Sequence, residues 1–163
     1  MNISIRQATK QDADIITRFN ALMAEETEQR ALESQRLLNG VLALLSDSSK
    51  GIYFLAEVDG LPAGQLMITY EWSDWRNGNF WWIQSVYVQK EFRGKGVFKA
   101  LFKHLYSLAQ ADETVCGIRL YVDQANERAQ RTYEHLGMKK AHYEVYRVDF
   151  VPVSYTHLTL PTN

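Results

Sequence analysis

A short basic segment with two glycines, Arg93-Gly94-Lys95-Gly96-Val97-Phe98, is the part of the sequence best suited to chemistry. It follows residues 80–88, a run of aromatic and β-branched residues that predicts a strand. It precedes apolar residues at helical spacing, Val97, Leu101, Leu105 and Leu108. A glycine turn that opens a helix presents unpaired backbone N–H groups at the positive end of the helix dipole. The segment therefore predicts a binding site for phosphate or pyrophosphate.

Two other nucleotide-binding motifs do not fit this turn. A Walker loop requires Gly-x-x-x-x-Gly-Lys-Ser/Thr, and the sequence has no such run. A dinucleotide fingerprint requires a third glycine at position 99, where this chain has Lys99. An ordinary surface turn remains the alternative when the segment is considered alone.

A second motif lies downstream, where Asn126, Ala129, Tyr133 and Gly137 are spaced along a predicted helix. Together the two motifs resemble the GCN5-related N-acetyltransferases (GNAT), a superfamily that transfers an acetyl group from acetyl-CoA to an amine. The resemblance spans roughly residues 3 to 148. One departure falls on Phe98, because the family usually has a small residue at the last position of the loop.

The resemblance implies a role for each motif. The acyl-CoA pyrophosphate would bind the loop, and the backbone of the preceding strand would pair with the pantetheine arm. Asn126 would cap the second helix and orient its loop, and Tyr133 would lie near the thioester sulfur as the general acid for the departing thiolate. The alternative for Tyr133 is packing in an apolar stripe with Ala129 and Leu136. The implied cosubstrate contacts are Val86, Tyr87, Val88, Arg93, Gly94, Lys95, Gly96, Val97, Phe98 and Asn126.

The general base is the least defined part of the predicted site. Many relatives place a glutamate on the strand before the glycine loop, where this chain has Gln84 and Ser85. A water molecule acting on an amine of low pKa is the alternative to a side-chain base. The acidic candidates lie elsewhere, at Glu25, Glu26, Glu28, Glu71 and Asp74.

Aromatic and acidic residues cluster in the predicted hairpin 70–82, and such a cluster suits a cationic amine. The alternative is that these residues form core and dimer surface. The hairpin and loop look similar to those of the diamine and thialysine acetyltransferases, but the acidic pair of those enzymes is replaced at positions 84 and 85. A small amine or amino-acid-like acceptor is the more general hypothesis, and aminoglycosides and protein N-termini stay open. The predicted substrate contacts are Glu26, Glu71, Trp75 and Gln84.

The elements that must position these residues follow the order β-α-α-β-β-β-α-β-α-β. This order predicts an α/β fold with a mixed sheet and helices on both faces. The resemblance implies that the central sheet is GNAT-like and mostly antiparallel. Asp59-Gly60 predicts a tight hairpin turn, and Thr9 to Asp12 a capping box. The predicted helices include 28–45 and 126–136, and the predicted strands include 116–123 and a last strand around 142–149.

Length and composition are those of one globular domain, which we place at residues 1–150. The tail 151–163, with His157, lacks periodicity and resembles adaptor read-through, so we predict it to be non-native or disordered; a native swapped or capping strand is the alternative. A net charge of −1 gives no general attraction to nucleic acid, and no apolar run is long enough for a membrane span. The single cysteine, Cys116, fits a core position and a reducing cytoplasm, and the four histidines lack metal-ligand spacing.

Two functional hypotheses follow. The first is a cytoplasmic, homodimeric N-acetyltransferase that transfers acetyl from acetyl-CoA to a small primary amine by direct attack, without a metal. The second is an acyl-CoA-binding module that senses or regulates without turnover. Tyr133 favours the first hypothesis, whereas Phe98 and the missing strand carboxylate favour the second.

Overall fold

The computed structural model describes residues 1–151, so the predicted tail lies outside the described residues except for Val151. Five strands and four α-helices are present in this part of the chain. The strands are β1 (Ile3–Gln7), β2 (Ile52–Val58), β3 (Leu61–Ser73), β4 (Gly78–Val88) and β5 (Val115–Leu120), and the helices are α1 (Ala13–Glu28), α2 (Ser34–Leu45), α3 (Val97–Ala111) and α4 (Glu127–His135).

The strands form one sheet in the order β1-β2-β3-β4-β5. The first three pairings are antiparallel, and β4 pairs with β5 in parallel. The parallel pair requires a crossover connection, which α3 provides. The predicted α/β class with a mostly antiparallel mixed sheet is confirmed.

Helices cover both faces of the sheet, as predicted. Helix α3 buries Leu101, Phe102 and Leu105 against one face, together with Leu66, Ile68 and Ile83 of the central strands. Helices α1 and α2 bury Ile16, Phe19, Val41 and Leu44 against the other face, together with Tyr53, Leu55 and Tyr87. These two apolar layers hold β3 and β4, which carry the predicted site, in the centre of the molecule.

The helix boundaries depend on local capping. The predicted capping box is present, and the Asp12 carboxylate accepts a 2.8 Å hydrogen bond from the Thr9 amide. The predicted helix 28–45 is wrong at its start, because α1 continues to Glu28 and α2 begins only at Ser34. Gln29 ends α1 in the left-handed conformation at φ 53°, and the Glu33 carboxylate caps α2 by accepting from two backbone amides.

Turn chemistry was predicted more reliably than the last strand. Asp59 and Gly60 both have positive φ (50° and 83°), as a two-residue hairpin turn requires. The predicted strand at 142–149 is wrong, because residues 138–149 belong to no strand and residues 139–150 are exposed. β5 also ends at Leu120, three residues before the predicted end. A pattern of β-branched and aromatic residues shows that a segment can form a strand, but it does not supply the neighbouring strand that must pair with it.

Candidate active site

A bulge at Ser85 changes which residues of β4 face α3. Ser85 has φ 52°, and the pairing with β3 shifts between Gln65 and Met67. Before the bulge Trp81 and Ile83 face α3, whereas after it Val86 and Val88 do so and Tyr87 faces α1. The extra residue bends the strand and exposes its backbone at the point where the thioester is predicted to bind.

The edge of β4 that faces β5 becomes open beyond this bulge. The parallel pairing ends with Ile83 opposite Leu120, while the pairing with β3 continues to Val88 opposite Gly64. Within the part of the chain that the structure describes, Tyr87 and Val88 are therefore paired on the β3 side only, and Val86, next to the bulge, is in register with neither neighbouring strand. The two strands are unpaired beyond this point, and we call the space between them the gap. The unpaired backbone edge of β4 there suits an extended ligand with amide groups.

The glycine turn follows the unpaired part of β4 and contacts it, since Arg93 donates to the Val88 carbonyl. Gly94 and Gly96 have φ of +74° and +83°, a conformation that other residues rarely adopt. Gly96 is the N-cap of α3, and the first helical hydrogen bond runs from the Ala100 amide to the Gly96 carbonyl at 3.0 Å. The amides of Val97, Phe98 and Lys99 therefore have no acceptor within the helix, as a helix N-terminus that binds an anion requires.

The Arg93 side chain is fixed by contacts within the protein. Its Nε donates to the Val88 carbonyl at 2.8 Å, and its Nη2 donates to Glu26 Oε1 at 2.7 Å. The Tyr87 hydroxyl donates to the other oxygen of Glu26 at 2.5 Å. Glu26 therefore links the end of α1 to β4 and to the first residue of the glycine turn.

This network also sets the ionisation of its members. The hydrogen bonds from Tyr87 and then Arg93 lower the pKa of Glu26 below its ordinary value. Burial, followed by the contact with Glu26, raises the pKa of Tyr87 to about 12. Glu26 is thus an anion at neutral pH whose oxygens are both occupied, which makes it a poor general base. These two hydrogen bonds argue against both predictions for Glu26, as a substrate contact and as a candidate base.

Tyr133 lies beside the glycine turn. Its ring contacts the Phe98 ring edge-to-face, with the ring centroids 5.8 Å apart. Burial raises the pKa of Tyr133, so its hydroxyl is protonated at neutral pH. Asn126 caps α4 as predicted, since its Oδ1 accepts from the Ala129 amide at 3.1 Å. The departure from the family pattern at Phe98 thus provides a packing contact between α3 and α4.

The sheet face opposite α3 carries polar and aromatic side chains around β4 and β5, and we call this surface the open face. The Trp82 indole N–H donates to Glu71 at 2.9 Å, and the Trp82 ring stacks on Tyr121 with centroids 4.4 Å apart. Arg119 forms an ion pair with Glu71 at 3.5 Å. Gln84, next to the bulge, donates to the Thr69 hydroxyl at 2.6 Å.

The four predicted substrate contacts are therefore dispersed. Glu71 and Gln84 share the open face, and Glu26 lies near Tyr87. Trp75 is 89% exposed in the turn between β3 and β4, and the structure does not bring it to the other three. Sequence analysis missed Arg119 in β5 and Tyr121 just after it. Their alternation with the apolar Ile118 and Leu120, which pack on the α3 side, was the signal that could have identified them.

A network of buried hydrogen bonds connects the bulge at Ser85 to the neighbouring elements. Gln65 is fully buried, and its Nε2 donates to the Ser85 carbonyl at 3.0 Å and to Asn20 Oδ1 at 3.1 Å. Asn20 in turn donates to the Tyr53 hydroxyl at 3.2 Å. These bonds tie α1, β2 and β3 to the residue that distorts β4. Buried polar groups that are hydrogen-bonded in this way specify one backbone arrangement.

Two classes of site are not found in the part of the chain that the structure describes. Residues 1–151 contain no group of three or more histidine, cysteine or acidic side chains placed to hold a metal ion. No helix among them combines the length and the apolar character needed to cross a membrane.

Comparison with known proteins identifies the family to which the chain belongs. The family model for the acetyltransferase (GNAT) family matches residues 16–138, which is more than half of the chain. The chain therefore belongs to the acetyltransferase (GNAT) family. No curated protein sequence matches it.

Solved structures agree with this assignment. A possible acetyltransferase from Clostridium difficile 630 is 46% identical, with a TM-score of 0.86 over 93% of this chain and 100% of that chain. Two more distant structures share the fold. One is a predicted acetyltransferase from Clostridium acetobutylicum with acetyl-CoA (16% identity, TM-score 0.73, 90% of this chain and 96% of that chain). The other is AAC(6')-Iy in complex with the bisubstrate analogue CoA-S-monomethyl-acetylneamine (14%, 0.76, 93% and 100%).

Proposed function

We propose that this protein transfers the acetyl group of acetyl-CoA directly to the primary amine of a small molecule. The observation that carries the proposal is the continuity of the site. An open backbone edge at Val86–Val88 leads to the free amides at the start of α3, and the Tyr133 side chain lies beside them. Family membership and the structural neighbour that holds acetyl-CoA support the same cosubstrate.

Each part of acetyl-CoA has a matching part of the site. The pyrophosphate would accept hydrogen bonds from the amides of Val97, Phe98 and Lys99, where the helix dipole favours negative charge. The pantetheine arm would pair with the unpaired edge of β4. Arg93 would contribute by fixing the turn, because its guanidinium already contacts Glu26 and Val88.

The chemistry requires one bond to form and one to break. The neutral amine attacks the thioester carbon, a C–N bond forms, and the C–S bond breaks as the tetrahedral intermediate collapses. Tyr133, kept protonated by its raised pKa, would give its proton to the leaving thiolate. The proton lost by the amine would pass to water, since Gln84 and Ser85 replace the acidic pair seen in the diamine-type members.

The acceptor would approach over the open face. Trp82 and Tyr121 present aromatic rings there, and Glu71 supplies a carboxylate next to them. Such a surface favours a cationic or sugar-like amine over an apolar one. The bisubstrate analogue bound to AAC(6')-Iy carries an acetylated neamine, which supports a small-molecule acceptor.

We also propose that residues 1–150 form one catalytic domain, that the protein is homodimeric, and that it acts in the cytoplasm. The single cysteine suits a reducing compartment.

The test is release of free CoA from acetyl-CoA in the presence of a panel of polyamines, amino acids, aminoglycosides and peptides. We expect release with one class of small amine, and mass spectrometry of the product should show one added acetyl group. Acetylation of peptides alone would overturn the small-molecule acceptor. Binding of acetyl-CoA by calorimetry without release by any amine would favour the alternative, a non-catalytic acyl-CoA sensor.

A further inference from the structure

The peptide that joins Ser85 to Val86 is oriented by a side chain rather than by the sheet. The register of β4 with β3 is interrupted over both residues, so neither has a partner in register on β3. The Ser85 carbonyl accepts instead from the side-chain amide of Gln65, at 3.0 Å. Because a carbonyl oxygen can only accept a hydrogen bond, the atom of Gln65 beside it must be Nε2.

The orientation of this peptide determines where the Val86 N–H points. The atoms of a trans peptide lie in one plane, and its C=O and N–H point in opposite directions. Because the Ser85 carbonyl is turned towards Gln65 of β3, the Val86 N–H faces away from β3. The pairing of β4 with β5 ends at Ile83, so β4 has no paired neighbour on its other side at this position. The bulge thus places a hydrogen-bond donor beside the gap.

Gln65 is not the residue that packing alone would favour at this position. It is fully buried, and its neighbours along β3, Leu66 and Ile68, are fully buried and apolar. Its Oε1 accepts no hydrogen bond from the described residues. A buried polar atom without a partner lowers stability, whereas an apolar side chain of similar size does not. The contribution of Gln65 is therefore the orientation of the groups that its Nε2 contacts.

Asn20 holds the side-chain amide of Gln65 in this orientation. Its Oδ1 accepts from Gln65 Nε2 at 3.1 Å, and its Nδ2 donates to the Tyr53 hydroxyl at 3.2 Å. The Gln65 amide therefore donates both to α1 and to the bulge. A backbone donor fixed in this way need not reorganise when charge develops beside it.

We propose that Gln65 is a positioning residue for acetyl transfer: through the Ser85 carbonyl, it holds the Val86 N–H towards the thioester oxygen. This inference rests on the function proposed above. As the amine attacks, that oxygen gains negative charge, and a preorganised N–H donor stabilises the charge more than it stabilises the neutral carbonyl. Gln65 itself does not touch acetyl-CoA, because it is fully buried.

Isotope-edited infrared spectroscopy of bound acetyl-CoA tests the proposal without an acceptor amine. A hydrogen bond to the thioester oxygen lowers its C=O stretching frequency, so acetyl-CoA labelled at the acetyl carbonyl should absorb at a lower frequency on the native protein than in solution. Gln65→Met keeps a side chain of similar size but has no N–H donor, and the frequency should return towards the solution value. Ile68→Met puts the same side chain at another fully buried position of β3 and should keep the native frequency.

Kinetics supply the second measurement. With an amine that the native protein acetylates, Gln65→Met should lower kcat by at least about tenfold, while the Kd for acetyl-CoA changes by no more than about threefold. Ile68→Met should change neither quantity. A cooperative thermal transition would verify that each variant is folded. If Gln65→Met does not fold, Asn20→Leu, which releases the Gln65 amide from α1, should move the frequency in the same direction.

A native C=O frequency in folded Gln65→Met, or in Asn20→Leu where that variant replaces it, would overturn the proposal. Loss of acetyl-CoA binding by folded Gln65→Met would also overturn it, because the residue would then support the binding site as a whole. A native protein that lowers the frequency but releases CoA with no amine would contradict the proposed function, whereas the comparison of frequencies would still support the role of Gln65 in orienting the N–H.

Discussion

Tyr133 is partly buried, its pKa is raised by that burial, and its ring contacts Phe98 of the glycine turn. If it protonates the leaving thiolate, Tyr133→Phe removes the proton and little else, because the ring and its packing remain. We expect kcat to fall by roughly 10²–10⁴-fold while the Kd for acetyl-CoA stays within about twofold. Steady-state kinetics and calorimetry would measure the two quantities.

Tyr106→Phe is the matched control for this change. Tyr106 is 48% exposed and lies on α3 about two turns beyond Phe98, the residue that contacts Tyr133. Its loss of a hydroxyl should leave kcat unchanged. A Tyr133→Phe enzyme with native kcat would remove the tyrosine from the chemistry and leave it with the packing role alone.

Glu26 supports a prediction about stability and pH. Its pKa is lowered in the folded state, so its contribution is complete above its ordinary pKa and is lost as the pH falls through the folded value. Because its side chain and that of Arg93 are partly exposed, Glu26→Gln should cost only about 0.5–1 kcal/mol at pH 7. This corresponds to a fall in Tm of about 2 °C.

The same difference measured at a pH below the folded pKa of Glu26 should be smaller, because the carboxyl group is then neutral, like the amide of the variant. Glu28→Gln, two residues further along α1 and exposed, should have no comparable effect at either pH. A Glu26→Gln difference that grows as the pH falls would contradict the ion-pair explanation. The sequence placed Glu26 among several acidic residues near the end of a helix, but only the tertiary contact with Arg93, 67 residues away, distinguishes it from its neighbours.

At the level of elements, the glycine turn and the start of α3 act as one unit. Gly96 has φ +83° with open space around its Cα, so Gly96→Ala would strain the backbone by about 1 kcal/mol without a clash. We expect this strain to move the amides of the first helical turn and to weaken acetyl-CoA binding at least tenfold.

Gly60→Ala is the matched control for Gly96→Ala. It has the same φ of +83° and the same open surroundings, but it lies in the hairpin turn between β2 and β3. Gly60→Ala should therefore lower the Tm by a similar amount and leave the Kd for acetyl-CoA unchanged. Equal Kd values for the two variants, determined by calorimetry, would show that the turn does not bind the cosubstrate.

Local patterns predicted most elements but not their interruptions. The alternation in 80–88 predicts one continuous strand, whereas the strand has a bulge at Ser85, whose carbonyl accepts a hydrogen bond from Gln65, twenty residues away in sequence. The strand predicted at 142–149 failed for a related reason, because no partner strand lies beside it within residues 1–151. Capping and turn signals succeeded at Thr9, Asp59 and Asn126 because their physics is contained in a few adjacent residues.

At the level of the whole molecule, the sheet has a well-buried part and an exposed part. Most residues of β2 are buried, whereas neither β5 nor α4 contains a fully buried residue. The sequence predicted the order of these elements but not this imbalance, which arises from the missing neighbour of β5 and the gap between β4 and β5. The proposed acetyl-CoA site spans that gap and touches both parts.

Cosubstrate binding should therefore slow hydrogen exchange in the exposed part. β5 and α4 should exchange their amide hydrogens by local opening, which is incompatible with a ligand held between β4 and Tyr133. At an acetyl-CoA concentration of about 100 times the Kd, their exchange should slow by up to about 100-fold. Amides of β1 and β2, which open only with the whole fold, should slow by no more than this. Hydrogen exchange measured by mass spectrometry would test the prediction, and protection confined to α1 and α2 would place the ligand on the other face of the sheet.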